Sequence, residues 1–507
     1  MQMSRKLKVL ASAVLFCSVL ACSAAFAAKD PDTLVVANGA DLKTLDPIFT
    51  GDAASANTFL QIYDHLIFQD KDGKLVPRLA VSWEQPDDLT YILHLRKGVK
   101  FHNGMPFTAV DAKFTIDRGM SSLTATGSNV LLKDIKNVEI IDDYTIKINM
   151  KQPYTPLLYA FSEVWGSVVC KAAVEELKEK HALNPVGTGP FKYVEWKKGD
   201  RIILERNDDY WGEKPQFKNL IIRAVPETSV RTIELESGAV DVSYQIHVND
   251  IKRIERNKHL SLVRRPALRV DFMLFNCSKP PFNDVRVRRA ISKALDVRGM
   301  QRAIYRGIGY APNGPLPEAM RYCDTTLPVR ERDVEGAKAL LKEAGVKDLH
   351  VVISVNEAKE RVDAATIVQA QLAEVGITAE IRVLEYGALL DMQDRGEHQI
   401  TFSGWGNNLP DPEYALSRLY HTRGLGTTNI AFYSNPEFDK LLDEATLLPE
   451  GPEREAVYKK VQKMFVEEVP AVYWSVGEHV TGINSDRISF FPNHIRGIFE
   501  FNTVKLK

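Results

Sequence analysis

The chain has 507 residues, 45% of them hydrophobic and 26% charged, with a formal net charge of −1. That length supplies two or three domains with sizeable cores, and the balanced charge leaves no basic excess for neutralising nucleic-acid phosphates. No polybasic tail, low-complexity run or solenoid-period repeat interrupts it, so an ordinary globular protein without a nucleic-acid partner is expected; the expected state is a monomer.

The first 27 residues stand apart. Arg5, Lys6 and Lys8 precede the apolar run Val9–Ala21, and Ala25-Phe26-Ala27 follows. This is the layout of a cleaved secretory signal, too short and wrongly flanked for a spanning helix. Val19-Leu20-Ala21-Cys22 leaves a lipid anchor at Cys22 as the second reading. Cleavage after Ala27 leaves Cys170, Cys277 and Cys323, which permit one disulfide at most. None stands in a C-x-x-C pair, so buried thiols and no structural metal or cofactor are expected.

In chain order, Leu34–Ala37 reads as a strand and Phe59–Phe68 as a helix, with Leu60, Tyr63 and Ile67 at helical spacing. Tyr91, Leu93 and Leu95 alternate on a strand face and Asn103-Gly104 turns the chain. Thr108 and Asp111 have the N-cap and N3 spacing of a capping box. Asp142–Met150 is a turn plus a strand, and Pro153–Ala160 leads into a helix. Gly187-Thr188-Gly189-Pro190 opens a hairpin whose strands lie around Phe191–Glu195 and Arg201–Arg206. A phosphate loop would have to open a helix there, and Pro190 followed by a strand does not.

Leu220–Pro226 is a further strand, and Thr228–Ser237 a helix capped at Thr228 or Ser229. The texture changes at Pro266. Phe272–Asn276 reads as a strand, and Asp284 caps a helix whose inner face is Val287, Ala290, Ile291 and Leu295. Its arginines read as a solvated face. Asp333–Ala344 is a helix stopped by Gly345. Leu349–Val355, Val362–Val375 and Ile377–Val383 form a strand–helix–strand unit, hence parallel strands and an α/β lobe. Helices at Glu437–Leu447 and Glu453–Glu468 precede a strand at Pro470–Trp474.

Ligand chemistry concentrates in Thr401–Tyr414, a turn-rich connection. Gly404 and Gly406 permit close approach, Trp405 supplies an apolar wall with one donor, and Asn408 and Asp411 supply acceptors. Asp411 equally suits a helix cap, and both roles stay open.

Three stretches carry a resemblance. "P-x-L-A-x-S-W" at 77–83 with "L-R-K-G-V-K-F-H-N-G" at 95–104, "P-V-G-T-G-P-F" at 185–191 with "N-D-D-Y-W-G" at 207–212, and "P-F-N-D-V-R-V-R-R-A-I" at 281–291 together resemble the oligopeptide/dipeptide-binding family of extracellular solute-binding proteins serving ABC importers. The resemblance implies an α/β periplasmic binding protein-like fold. Lobe I would comprise 28–60, 190–265 and 480–507, inserted domain II 61–189, and lobe III 266–479. It implies a non-enzymatic periplasmic protein that closes on a solute and docks on membrane permease subunits. In peptide-binding relatives an aspartate three residues after the tryptophan grips the ligand's α-amino group; here that position is Asn408. Arg361 lies near where relatives place a carboxylate-clamping arginine, and Arg269 is a second candidate. Peptides or peptide-like conjugates are the expected ligands. Glutathione, opines, nickel chelates and oligosaccharides stay open. A secreted hydrolase is disfavoured, since no G-x-S-x-G, H-E-x-x-H or Walker loop is found.

Overall fold

A computed structural model describes residues 30–50, 52–121, 132–407 and 409–507. The signal segment, with Cys22, and Asn408 lie outside the described residues. One sheet of ten strands organises the molecule. In spatial order it runs Thr378–Leu384, His350–Asn356, Ile400–Gly406, Leu260–Phe275, Ala471–Asn484, Val242–Ser243, Thr33–Asn38, Asn219–Ala224, Arg201–Arg206 and Phe191–Lys197. Thr33–Asn38 is buried along its whole length and pairs in parallel with a strand on either side, which is why its sequence is continuously apolar rather than alternating.

Two of these strands join the lobes. Leu260–Phe275 and Ala471–Asn484 pair antiparallel from Leu260↔Asn484 to Leu274↔Ala471, with a register shift between Pro266 and Val270, opposite Val476–Glu478. On one side of this irregularity the pair continues into the sheet around Thr33–Asn38; on the other it carries the parallel strands of the 350–406 unit. Only two strands cross there, and a bulge breaks their ladder, so bending concentrates at this point.

A separate antiparallel sheet orders Ala80–Asp87, Thr90–Leu95, Thr145–Met150 and Ile135–Asp142. Tyr91, Leu93, Leu95, Ile146, Ile148 and Met150 face inward and are buried. Helix Ala109–Met120 begins with a complete capping box, Asp111 Oδ2 accepting from the Thr108 amide at 3.1 Å.

Two of the motif-rich stretches meet at one carboxylate. Buried Asp64 accepts from Arg78 Nε at 2.8 Å, Thr188 Oγ1 at 2.9 Å, Tyr210 Oη at 3.0 Å and Trp211 Nε1 at 2.8 Å. Arg78 also reaches Glu500 in the C-terminal tail at 2.8 Å. The glycines of the 187–190 turn have a steric reason. A Cβ on Gly187 would lie 2.0 Å from the Ile62 carbonyl oxygen, and one on Gly189 2.6 Å from the Ile62 carbonyl carbon.

The local readings at 187–206, 333–345 and 349–384 match the elements observed. Six others need correction. The helix expected at 59–68 spans Ala53–Ile62, because Asp52 caps it by accepting from Ser55 N at 3.0 Å. The residue before helix Thr228–Glu236 is Glu227, and no side chain caps that end. Strands expected at 272–276 and 470–474 are the ends of the 16- and 14-residue connecting strands. Arg288 is not solvated: it is 4% exposed and donates to the carbonyls of Phe282, Glu468 and Val469. Trp405 lies on a strand rather than in a loop. Cys170, Cys277 and Cys323 are free thiols.

Candidate functional site: a cleft across the hinge

Two cavities flank the irregularity in the connecting strands, one in each lobe. Both lie where parallel strands end at their carboxyl termini, the usual position for ligands in α/β sheets. In lobe III a cavity of about 340 Å³ is lined by Arg269, Asp271, Tyr305, Asn356, Arg361, Trp474 and their neighbours. Asn356 is the last residue of its strand, and Arg361 stands in the first turn of helix Lys359–Ala373. The structure therefore brings the two candidate arginines to one cavity. Arg361 donates to the neutral Asn356 Oδ1 at 3.1 Å. Arg269 is half-exposed and leans on Asp271 at 3.2 Å. Gly404 is the residue that admits this pair, since a Cβ there would lie 2.4 Å from Asp271 Oδ1 and 2.6 Å from Arg269 Nη2.

In lobe I a cavity of about 310 Å³ is lined by Asn38, Asp52, Tyr244, His479, Arg496, Phe499 and their neighbours. Asn38 ends one parallel strand and Tyr244 follows the next. Tyr244 is fixed against Phe499, ring centroids 5.1 Å apart. Asp52 already accepts from Thr50 Oγ1 at 2.5 Å and from Ser55 Oγ at 3.0 Å. Burial works against its ionisation, but these bonds prevail and its pKa is lowered. Burial lowers His479 to about 4, so it is neutral.

Trp405 stands between the lobes. Its strand pairs with Val270, and its half-buried ring packs against two apolar clusters, one of which includes its ring neighbour Tyr414. The ring centroid is 5.6 Å from that of Tyr414, and the indole N–H has no partner among the described residues. Behind Tyr414 lies the Glu163–Arg496 ion pair at 2.6 Å. Burial outweighs the pull of Arg496 and raises Glu163 to about 7.

Asp411 does not belong to this cleft. It is wholly buried, caps helix Pro412–Tyr420 by accepting from Glu413 N at 2.9 Å, and takes both guanidinium nitrogens of the equally buried Arg454 at 2.5 and 2.9 Å. Of its two open roles the structure takes the cap, so Asp411 has no capacity for a ligand cation. Sequence reasoning missed Asn38, Glu163, Tyr244 and Arg496. Asn38 and Tyr244 carried one usable signal, their position directly after apolar strands. Among the described residues no group of three or more metal-ligating side chains comes together.

Two α/β lobes joined by a pair of strands, with a polar-lined cavity on each side of the junction, have the architecture of a solute-binding protein. The chain belongs to the bacterial extracellular solute-binding proteins, family 5, whose model matches residues 74–427. It is 29% identical to the probable D,D-dipeptide-binding periplasmic protein of Escherichia coli strain K12, over 95% of each chain. To the glutathione-binding protein of Pectobacterium atrosepticum it is 28% identical over 96% of each. Among solved structures it is similar to the periplasmic binding protein DppA of Helicobacter pylori in complex with the peptide STSA, at 30% identity and a TM-score of 0.79, covering 94% of this chain and 98% of that one.

Proposed function

We propose that this chain is the exported, solute-capturing subunit of an ABC importer. It binds a peptide or peptide-like solute between lobes I and III and delivers it unaltered to membrane permease subunits. The observation that carries this reading is the pair of cavities on either side of a two-strand connection between the lobes, with Trp405 on the strand beside it. A solute touching both walls favours the closed arrangement by its differential affinity, and closure gives the permease a shape to read. The lobe boundaries that suit this motion lie at the register break near Pro266–Val270 and at Gly477–Val480.

The names of the relatives support a peptide-like ligand and a periplasmic location. The charged segment before the apolar run at the N-terminus supports export, and no helix among the described residues is long and apolar enough to cross a membrane. Mass spectrometry of solute retained by protein taken from its native compartment tests the reading directly. The ligand should co-purify intact. Turnover of that solute by the purified protein would replace this reading with an enzymatic one. In a thermal-shift assay, ligand at 100 times its Kd should stabilise the protein by about 2.7 kcal/mol, and Trp405→Ala should abolish the shift while the fold survives.

A further inference from the structure

Domain II is tied to lobe III by hydrogen bonds from one short segment, Thr155 to Tyr159. Thr155 Oγ1 donates to the Leu448 carbonyl at 2.7 Å. Leu448 follows helix Pro436–Leu447, and its carbonyl belongs to a helix end, where carbonyls lack intrahelical partners and the dipole is negative. Four residues after Thr155, Tyr159 Oη accepts from Arg321 Nη1, and the Arg321 guanidinium lies 5.3 Å from the Tyr159 ring centroid. Arg321 is held for this contact within its own lobe: it pairs with Glu450, donates from Nη2 to Tyr322 Oη at 3.1 Å and lies over the Tyr322 ring. With the guanidinium fixed beforehand, the bond to Tyr159 costs little side-chain entropy. Beside these bonds lies a cavity of about 660 Å³, walled by Trp83, Tyr91 and Leu158 from domain II and by Arg321, Pro449 and Glu450 from lobe III.

An interface between permanently joined bodies is packed to interior density, without voids of this size. Here, among the described residues, no strand of the domain II sheet pairs with the ten-stranded sheet, and the gap lies next to the bonds. We propose that this contact is a clasp that makes and breaks as the lobes close and open, with Thr155 and Tyr159 as positioning residues that hold the closed form around the solute. The inserted domain thereby takes part in capture without touching the solute. The clasp raises affinity by favouring the closed arrangement, to which the solute then binds at a smaller cost. Tyr159 is 3% exposed and its ring is fixed in the domain II core, so the hydroxyl is presented at one position. Leu409 and Tyr414 share an apolar cluster with Phe161 and Val164; such contact has no direction, and the two bonds supply the registration. The purpose of the clasp rests on the solute-binding reading above, whereas its opening and closing do not.

The test compares the full mature protein with Thr155→Ser and with the double variant Thr155→Val, Tyr159→Phe, which removes one donor and one acceptor and leaves the packing. Small-angle scattering after dialysis should give the double variant a larger radius of gyration than wild type, at an unchanged melting temperature. Thr155→Ser, which keeps the hydroxyl, should scatter as wild type does. Losing each bond lowers the ratio of closed to open forms about fivefold. Solute carried over from the native compartment, followed by mass spectrometry during dialysis, should therefore leave the double variant at least tenfold faster; faster release at an unchanged melting temperature supports the clasp by itself. Unchanged scattering and unchanged release overturn it, whether or not the melting temperature falls, and make the contact ordinary packing. A larger radius with unchanged release overturns its role in capture. If neither protein retains a solute, the solute-binding reading falls and the scattering alone decides the clasp.

Discussion

Asp411 offers the sharpest contrast between a ligand residue and a structural one, and Asp411→Ala separates them. In the wild-type protein both partners of the Asp411–Arg454 pair are fully buried. Arg454 has two further bonds, to the Ala445 carbonyl at 2.7 Å and Tyr458 Oη at 3.3 Å, which hold the guanidinium in place when the carboxylate goes. Removing one partner of such a pair strands a buried charge and costs about 3–5 kcal/mol. Loss of the cap on helix Pro412–Tyr420 adds about 1 kcal/mol. The expected loss is therefore about 4–6 kcal/mol, read as a lowered urea midpoint by circular dichroism. Asp411→Ala combined with Arg454→Met should recover part of it, since the stranded charge is gone and an apolar side chain fills its place. An unchanged midpoint in the single variant, with ligand affinity lost, would refute the structural role and return Asp411 to the cleft.

Three further outcomes follow from the same structure. Asp64→Ala takes the acceptor from Thr188, Tyr210 and Trp211 at once and leaves Arg78 held by Glu500 and Tyr210 alone, and should cost about 4 kcal/mol or more, giving early melting and protease sensitivity; normal stability would show that the hub is dispensable. Gly187→Ala places a Cβ against the Ile62 backbone, so soluble yield and melting temperature should both fall, whereas Gly199→Ala, at φ +77 in an open turn, should cost far less. Acid should destabilise the protein below about pH 6. Burial lowers His398 and His494 to about 4 and His65 to about 3, against 6.5 unfolded. Their stabilisation is complete above pH 6.5 and is lost as pH falls, about 3 kcal/mol for His398 or His494. Glu163, raised to about 7 from 4.5, acts oppositely, its penalty growing as pH rises through that window, but it is outnumbered. Urea midpoints that rise between pH 7 and pH 5 would contradict this.

The elements legible in advance are those whose causes lie within a few residues. The capping box at Thr108 and Asp111, the turn glycines before Phe191, and the spacing of Val287, Ala290 and Ile291 are local patterns, and local hydrogen bonding and side-chain periodicity produced them. The motifs that carried the family resemblance proved to be architectural. Arg78, Thr188 and Tyr210-Trp211 converge on Asp64, which no motif singled out.

Contacts between distant segments lay beyond such patterns. The connecting strands pair residues more than 190 positions apart, so their full lengths depend on a partner that no local window contains. Arg288 and Asp411 carry ordinary surface chemistry, and packing buried both by bringing up the Glu468 and Val469 carbonyls in one case and Arg454 in the other. Composition and periodicity thus established an α/β chain of several lobes. Which charges face the cleft and which hold the scaffold was settled by long-range burial, because desolvation makes an unpaired charge costly and packing determines where the partners meet.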